Sequence, residues 1–159
     1  IAAEQDAKRW PDDRQRPLTR PGARRFKQTA GALVDLMQAD TAVDRLLCSP
    51  LVRARETAVI LHKAGLPEAI EESVLAPGRT AARVLAVLRA HDVQSIALVG
   101  HEPDLGRLLA VCIAGAEAKL SARFRKGGAA CLYFAGAPRV GEATLEWLLP
   151  PKALRALRG

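Results

Sequence analysis

Arg53 and His101 are the residues of this chain whose types and placement could do chemistry. Each lies just past a short apolar run and close to the start of a helical pattern. The first stretch is Cys48-Ser49-Pro50-Leu51-Val52-Arg53-Ala54-Arg55-Glu56-Thr57-Ala58. An apolar segment from Val43 to Cys48 precedes it, and a helical pattern follows to about Lys63. Ser49 suits an N-cap and Pro50 the first helical position. Helical side chains lean toward the N-terminus, so Arg53 should point at the carboxyl end of the strand. A positive helix terminus and a forked guanidinium meet there, a setting made for an anion. The second stretch is Ile96-Ala97-Leu98-Val99-Gly100, followed at once by His101-Glu102-Pro103-Asp104. Ligands of open α/β sheets lie in the crevice at such strand ends. The shared placement points to a phosphate site.

Other chemistries fit these residues less well. A cysteine phosphatase needs a thiolate five residues before its arginine loop closes. Here four residues separate Cys48 from Arg53 and six separate it from Arg55, and the required position holds Ala54. Cys48 therefore reads as the buried end of a strand. His62, His91 and His101 lack zinc-ligand spacing. No G-x-S-x-G elbow occurs, which disfavours a serine hydrolase.

The elements that must position the pair can be read from the periodicity. Ile1 to Thr19 is polar and without period, a loop. Thr19 is an N-cap candidate for a helix to about Gln38, with its apolar stripe at Phe26, Ala30, Leu33, Val34 and Met37. Arg20, Arg24, Arg25 and Lys27 decorate that helix as a solvated face or a docking surface. Val43 to Cys48 is a strand, Ala69 to Val74 a short edge strand, and Leu75-Ala76-Pro77-Gly78 a turn. A third helix carries Ala81, Val84, Leu85 and Leu88 and ends near His91. Ile96 to Val99 suits a parallel strand buried on both faces. Leu105, Leu108, Leu109, Cys112 and Ile113 mark a fourth helix. Ala129 to Ala135 and Ala143 to Leu149 read as a hairpin around Gly136 to Gly141. Lys152 to Arg158 is a short basic helix or a frayed terminus. Alternation of this kind predicts α/β architecture with helices on both faces of a mostly parallel sheet.

Composition bounds the rest. At 159 residues, with 49% hydrophobic and 26% charged, the chain suits one domain with its own core. The net charge of +7 and pI near 9.9 allow an anion pocket or nucleic acid. Aromatics are only 4% and interleave no basic run, which points away from nucleic acid. Cys48, Cys112 and Cys131 are odd in number and read as reduced, buried residues of a cytoplasmic protein. No apolar run approaches membrane-spanning length.

Three blocks occur in order: Arg16-Pro17-Leu18-Thr19-x-x-Gly22, Ser49-Pro50-Leu51-Val52-Arg53-Ala54-x-x-Thr57-Ala58, and Val99-Gly100-His101-Glu102-Pro103. Together they resemble the histidine phosphatase superfamily, specifically its small SixA-type phosphohistidine phosphatases, over nearly the whole chain. The resemblance implies a single phosphoglycerate mutase-like domain over 1–159, three-layered α/β/α. It implies that Arg53 grips the phosphate, that His101 holds the phosphoryl oxygens, and that Arg16 lies near the pocket in a lid-like loop. The implied substrate is a phosphorylated protein or a small phosphorylated molecule. No metal or other cofactor is called for, nor nucleic acid or a membrane, and a monomer is expected.

Two departures from the family pattern matter. The family's nucleophile is a histidine in an Arg-His-Gly or Arg-His-Ala motif ending the first strand. That motif is absent from these residues, so a further strand carrying it is expected ahead of Ile1. Larger members also carry an acid in the loop after the third strand, to protonate an alkoxide. Here that loop is Leu75-Ala76-Pro77-Gly78, with Glu71 and Glu72 ahead of it. Phosphohistidine leaves as an imidazole and needs no strong acid, so the loss favours that substrate. The alternatives are a non-catalytic phosphate- or phosphoprotein-binding module on the same fold, a phosphatase of small phosphate esters, and a nucleic-acid-associated basic protein. Glu102 beside the pocket could orient His101 or a water, or simply start the helix.

Overall fold

Thr19 opens the first helix as its sequence suggests. Its hydroxyl accepts the N–H of Gly22 at 3.0 Å, and α1 runs Arg20–Gln38. The computed structural model describes residues 8–38 and 42–157. The strands are β1 (Arg45–Cys48), β2 (Ala69–Glu71), β3 (Ile96–Val99), β4 (Ala129–Tyr133) and β5 (Thr144–Leu149). The remaining helices are α2 (Val52–Lys63), α3 (Ala81–Ala90), α4 (Asp104–Ala114) and α5 (Pro151–Ala156). A single 3-10 turn, Asp13–Gln15, interrupts the described part of the leading loop.

The sheet is parallel and three-stranded, in the order β2-β1-β3. In register, Cys48 lies beside Val99 on one side and Glu71 on the other, so all three strands end nearly level. Successive strand residues face opposite ways, and each face feeds its own core. Leu46, Cys48, Ala97 and Val99 pack with residues of α1, α2 and α5. Leu47, Ile96 and Leu98 pack with α3 and α4. Helices thus cover both faces, giving three layers. β4 and β5 form a separate antiparallel pair, as the hairpin reading requires. α5 is seated rather than frayed: Leu154 is fully buried, and Arg155 Nη1 reaches Thr29 Oγ1 at 3.3 Å.

Three local expectations change. The second strand is shorter than expected, because a 3-10 turn takes over at Ser73–Leu75. Of the three free cysteines, Cys48 and Cys112 are buried, but Cys131 on β4 is only half-buried. Ser49 does not cap α2, and Pro50 is not its first residue. Ser49 N–H instead bonds to the Val99 carbonyl at 2.9 Å, carrying the ladder one residue past β1. The chain then bends at Pro50 and Leu51, and the Leu51 carbonyl starts the helix. No helix among the described residues is long and apolar enough to cross a membrane.

Candidate functional site

The delayed start of α2 has a direct chemical result. Freed from capping, the wholly buried Ser49 turns its hydroxyl toward the next strand end, where it lies 2.8 Å from His101 Nε2. Arg53 occupies the second position of α2, and its side chain is 12% exposed. Burial lowers the pKa of the His101 imidazole most, and the Arg53 charge reaches that ring and lowers it further. The two adjacent strands therefore deliver a guanidinium and an imidazole to the same end of the sheet.

Arg16 joins them. Asp13 Oδ1 accepts from Arg16 Nε at 2.6 Å, and Asp13 Oδ2 lies 3.0 Å from Arg53 Nη2. The Asp13 carbonyl also accepts from Arg53 Nη1 at 2.7 Å. The two arginines hold the Asp13 carboxyl below the usual carboxylate range, with the Arg16 bond the largest cause. The loop is tied to α2 as well: Glu56 Oε2 accepts the N–H of Leu18 at 2.6 Å.

Glu102 does not turn to His101. Its Oε1 accepts the N–H of Phe124 at 2.9 Å, anchoring the chain that follows α4. That chain passes so near α4 that a Cβ on Gly106 would meet the Ala122 carbonyl at 2.4 Å, so only glycine fits there. Thr57, the last polar residue of the second motif block, bonds back to the Arg53 carbonyl at 2.8 Å. Glu71 pairs with Arg55 at 3.3 Å. The acid-poor turn is held by an acid from elsewhere: Gly78 N–H donates to Asp104 Oδ2 at 2.6 Å. A water-sized cavity of about 10 Å³ lies there, bordered by Ala76, Arg79, His101 and Asp104. A wider groove of about 620 Å³ runs between the starts of α1 and α2, past Leu18, Arg20, Lys27 and Arg55.

Sequence reasoning missed Asp13, Glu56 and Asp104 as parts of this site, and gave Ser49 a different task. An acid three residues before Arg16 was a usable signal for Asp13, since that spacing suits a turn. Nothing local marks Glu56, whose partner is 38 residues away.

The imidazole of His101 is neutral in this setting. Burial pushes its pKa down from 6.5 to about 4, and Arg53 adds to the effect. The unfolded chain therefore binds the proton first as acid is added. Stability is fully present above pH 6.5 and is lost as pH falls through about 4. Solvent screening at this partly open site discounts the contribution to about 1–2 kcal/mol. Denaturant unfolding measured between pH 7.5 and 4 should follow that slope, and a His101→Gln variant should flatten it.

No family model matches the chain. An uncharacterized protein of Picosynechococcus sp. (strain ATCC 27264 / PCC 7002 / PR-6) is 34% identical over 154 residues, covering 89% of this chain and 90% of its own. The protein histidine phosphatase SixA, solved in complex with tungstate, superimposes with a TM-score of 0.79. It is 26% identical, and the match covers 97% of this chain and 94% of that one. A SixA chain from Agrobacterium tumefaciens shares the fold at 24% identity and a TM-score of 0.72, over 94% and 92% of the two chains. Three parallel strands flanked by helices, a guanidinium and an imidazole at adjacent strand ends, and this likeness along the chain lead to one assignment: the chain belongs to the histidine phosphatase superfamily, as a SixA-type member.

Proposed function

We propose that the protein is a phosphohistidine phosphatase, acting on a phosphorylated protein or a small phosphoramidate. The observation that carries this reading is the convergence of Arg53, Arg16 and His101 beside a turn that supplies no carboxylate of its own. Arg53 grips two phosphoryl oxygens in a charge-assisted fork. His101 holds a third; an arriving dianion offsets the burial and positive charge that keep it neutral, so it can take a proton and donate. The nucleophile in this reading is the histidine expected ahead of Ile1. Support for a strand there comes from β3, which is apolar throughout yet half-buried from Ile96 to Leu98. A parallel strand of that composition ordinarily has a neighbour on each side.

The chemistry then runs in two steps. A ring nitrogen of the nucleophilic histidine bonds to phosphorus as the substrate's P–N bond breaks. The departing imidazole takes its proton from solvent, so no strong acid is needed. Water then attacks phosphorus, releasing inorganic phosphate and restoring the histidine. The protein's task is chiefly positioning and charge stabilisation. Three cysteines outside any disulfide, two of them buried, fit a reducing cytoplasm, and we propose that the protein works there as a monomer.

The test compares two substrates with the protein as encoded. A peptide carrying chemically made phosphohistidine should release phosphate at least about a hundredfold faster than the same peptide carrying phosphoserine, whose alkoxide needs an acid. Equal rates on both would overturn the reading.

A further inference from the structure

Two nearly buried guanidiniums occupy one small space. The side chains of Arg16 and Arg53 are only 13% and 12% exposed. Like charges so placed repel, and Arg16 indeed makes it harder for Arg53 to keep its proton. A single carboxylate answers both. Asp13 bridges them with one oxygen each, at 2.6 Å to Arg16 Nε and 3.0 Å to Arg53 Nη2. The two contacts differ in what sustains them. Arg53 has a second bond, to the Asp13 backbone carbonyl at 2.7 Å, which does not depend on the side chain. Arg16 also meets the Asp13 carbonyl, but through its backbone N–H at 3.3 Å, so between these two residues the guanidinium itself is held by the carboxylate.

The acid is also fixed in place by its surroundings. Asp12 caps the 3-10 turn by accepting the N–H of Arg14 at 2.9 Å. Leu18, just past Arg16, is tied to Glu56 on α2. Asp13 is thus part of a loop anchored at both ends, and it binds Arg16 along the Nε edge, which sets the plane of that guanidinium.

We infer that Asp13 is a positioning residue that holds the Arg16 guanidinium beside Arg53, so that both arginines serve one phosphoryl group. The inference rests on the phosphatase reading of the site. It differs from a simpler possibility, in which the same carboxylate is a rival anion that substrate must displace. The two make opposite predictions. Losing a positioning acid weakens phosphate binding, whereas losing a rival anion tightens it.

The experiment is a calorimetric titration of inorganic phosphate into the protein and four variants: Asp13→Asn, Arg16→Ala, the double variant, and Arg53→Ala. Asp13 lies on a surface turn, so its substitution leaves the fold intact. Asp13→Asn should weaken binding about tenfold, and Arg16→Ala by a similar factor. The double variant should be no weaker than Arg16→Ala alone, because the acid acts through that arginine. Tighter or unchanged binding in Asp13→Asn, or losses that multiply in the double variant, would overturn the inference. Arg53→Ala reads the underlying site separately. Unaltered phosphate affinity there sinks the site itself, while loss there with Asp13→Asn unchanged sinks only the role given to Asp13.

Discussion

Arg53→Ala is expected to lower phosphohistidine turnover about a thousandfold in the protein as encoded. The size follows from what is removed. A charge-assisted, mostly desolvated fork stabilises the transferring group far more than the same contact would in water. Phosphoryl transfer leans almost wholly on such contacts, because the protein does little covalent work beyond the nucleophile. The effect on folding should be small. Arg53 is strained electrostatically by Arg16 and by burial, and Asp13 keeps its bond to Arg16 when Arg53 is gone. Phosphate release from a phosphohistidine peptide gives the rate, and a thermal melt checks the fold. A rate within threefold of the unmodified protein would remove Arg53 from the mechanism.

His101→Ala should cost turnover on the order of a hundredfold or more, as loss of one oxyanion donor does. It also has a structural effect that Arg53→Ala lacks. The Ser49 hydroxyl is wholly buried and uses His101 Nε2 as a partner. Truncation leaves that hydroxyl only the longer bond it accepts from the Leu51 N–H at 3.4 Å, and a buried hydroxyl short of a partner costs about 1–3 kcal/mol. The variant should therefore be both slower and less stable near neutral pH. Changing Ser49 to alanine as well removes the stranded group and should recover part of the stability while leaving turnover low. If the single variant kept full activity, His101 would be a structural residue only.

The parts of this protein that were legible in sequence are those set by local pattern. The unbroken apolar run Ile96 to Val99 marked a strand and the stripe marked α1, because the two patterns have different periods, although the burial expected on both faces of that strand is only partial from Ile96 to Leu98. The placement of Arg53 and His101 was legible for the same reason: each follows a strand closely. What stayed hidden depended on partners far away in the chain. Ser49 looked like a cap because serine before proline usually is one, and the ladder bond to Val99 that overrides this cannot be seen locally. Glu56 and Asp104 lie in helical sequence that gives no sign of a distant partner, yet each accepts a backbone N–H from a distant loop. Asp13 sat in a charged loop where any acid could have been solvated.

The level pairing of Cys48 with Val99 has a last consequence. Neighbouring strands are spaced by backbone hydrogen bonding at about 4.8 Å, whatever side chains they carry. The gap between the ends of β1 and β3 is therefore a peptide-made gauge rather than a side-chain choice. On the phosphatase reading proposed above, a compact tetrahedral oxyanion suits that gauge; the SixA structure that shares this fold was solved with tungstate, an anion of that class. Altering the anion size this site accepts would mean shifting a strand, and a one-residue shift would swap every core residue on that strand from one layer to the other.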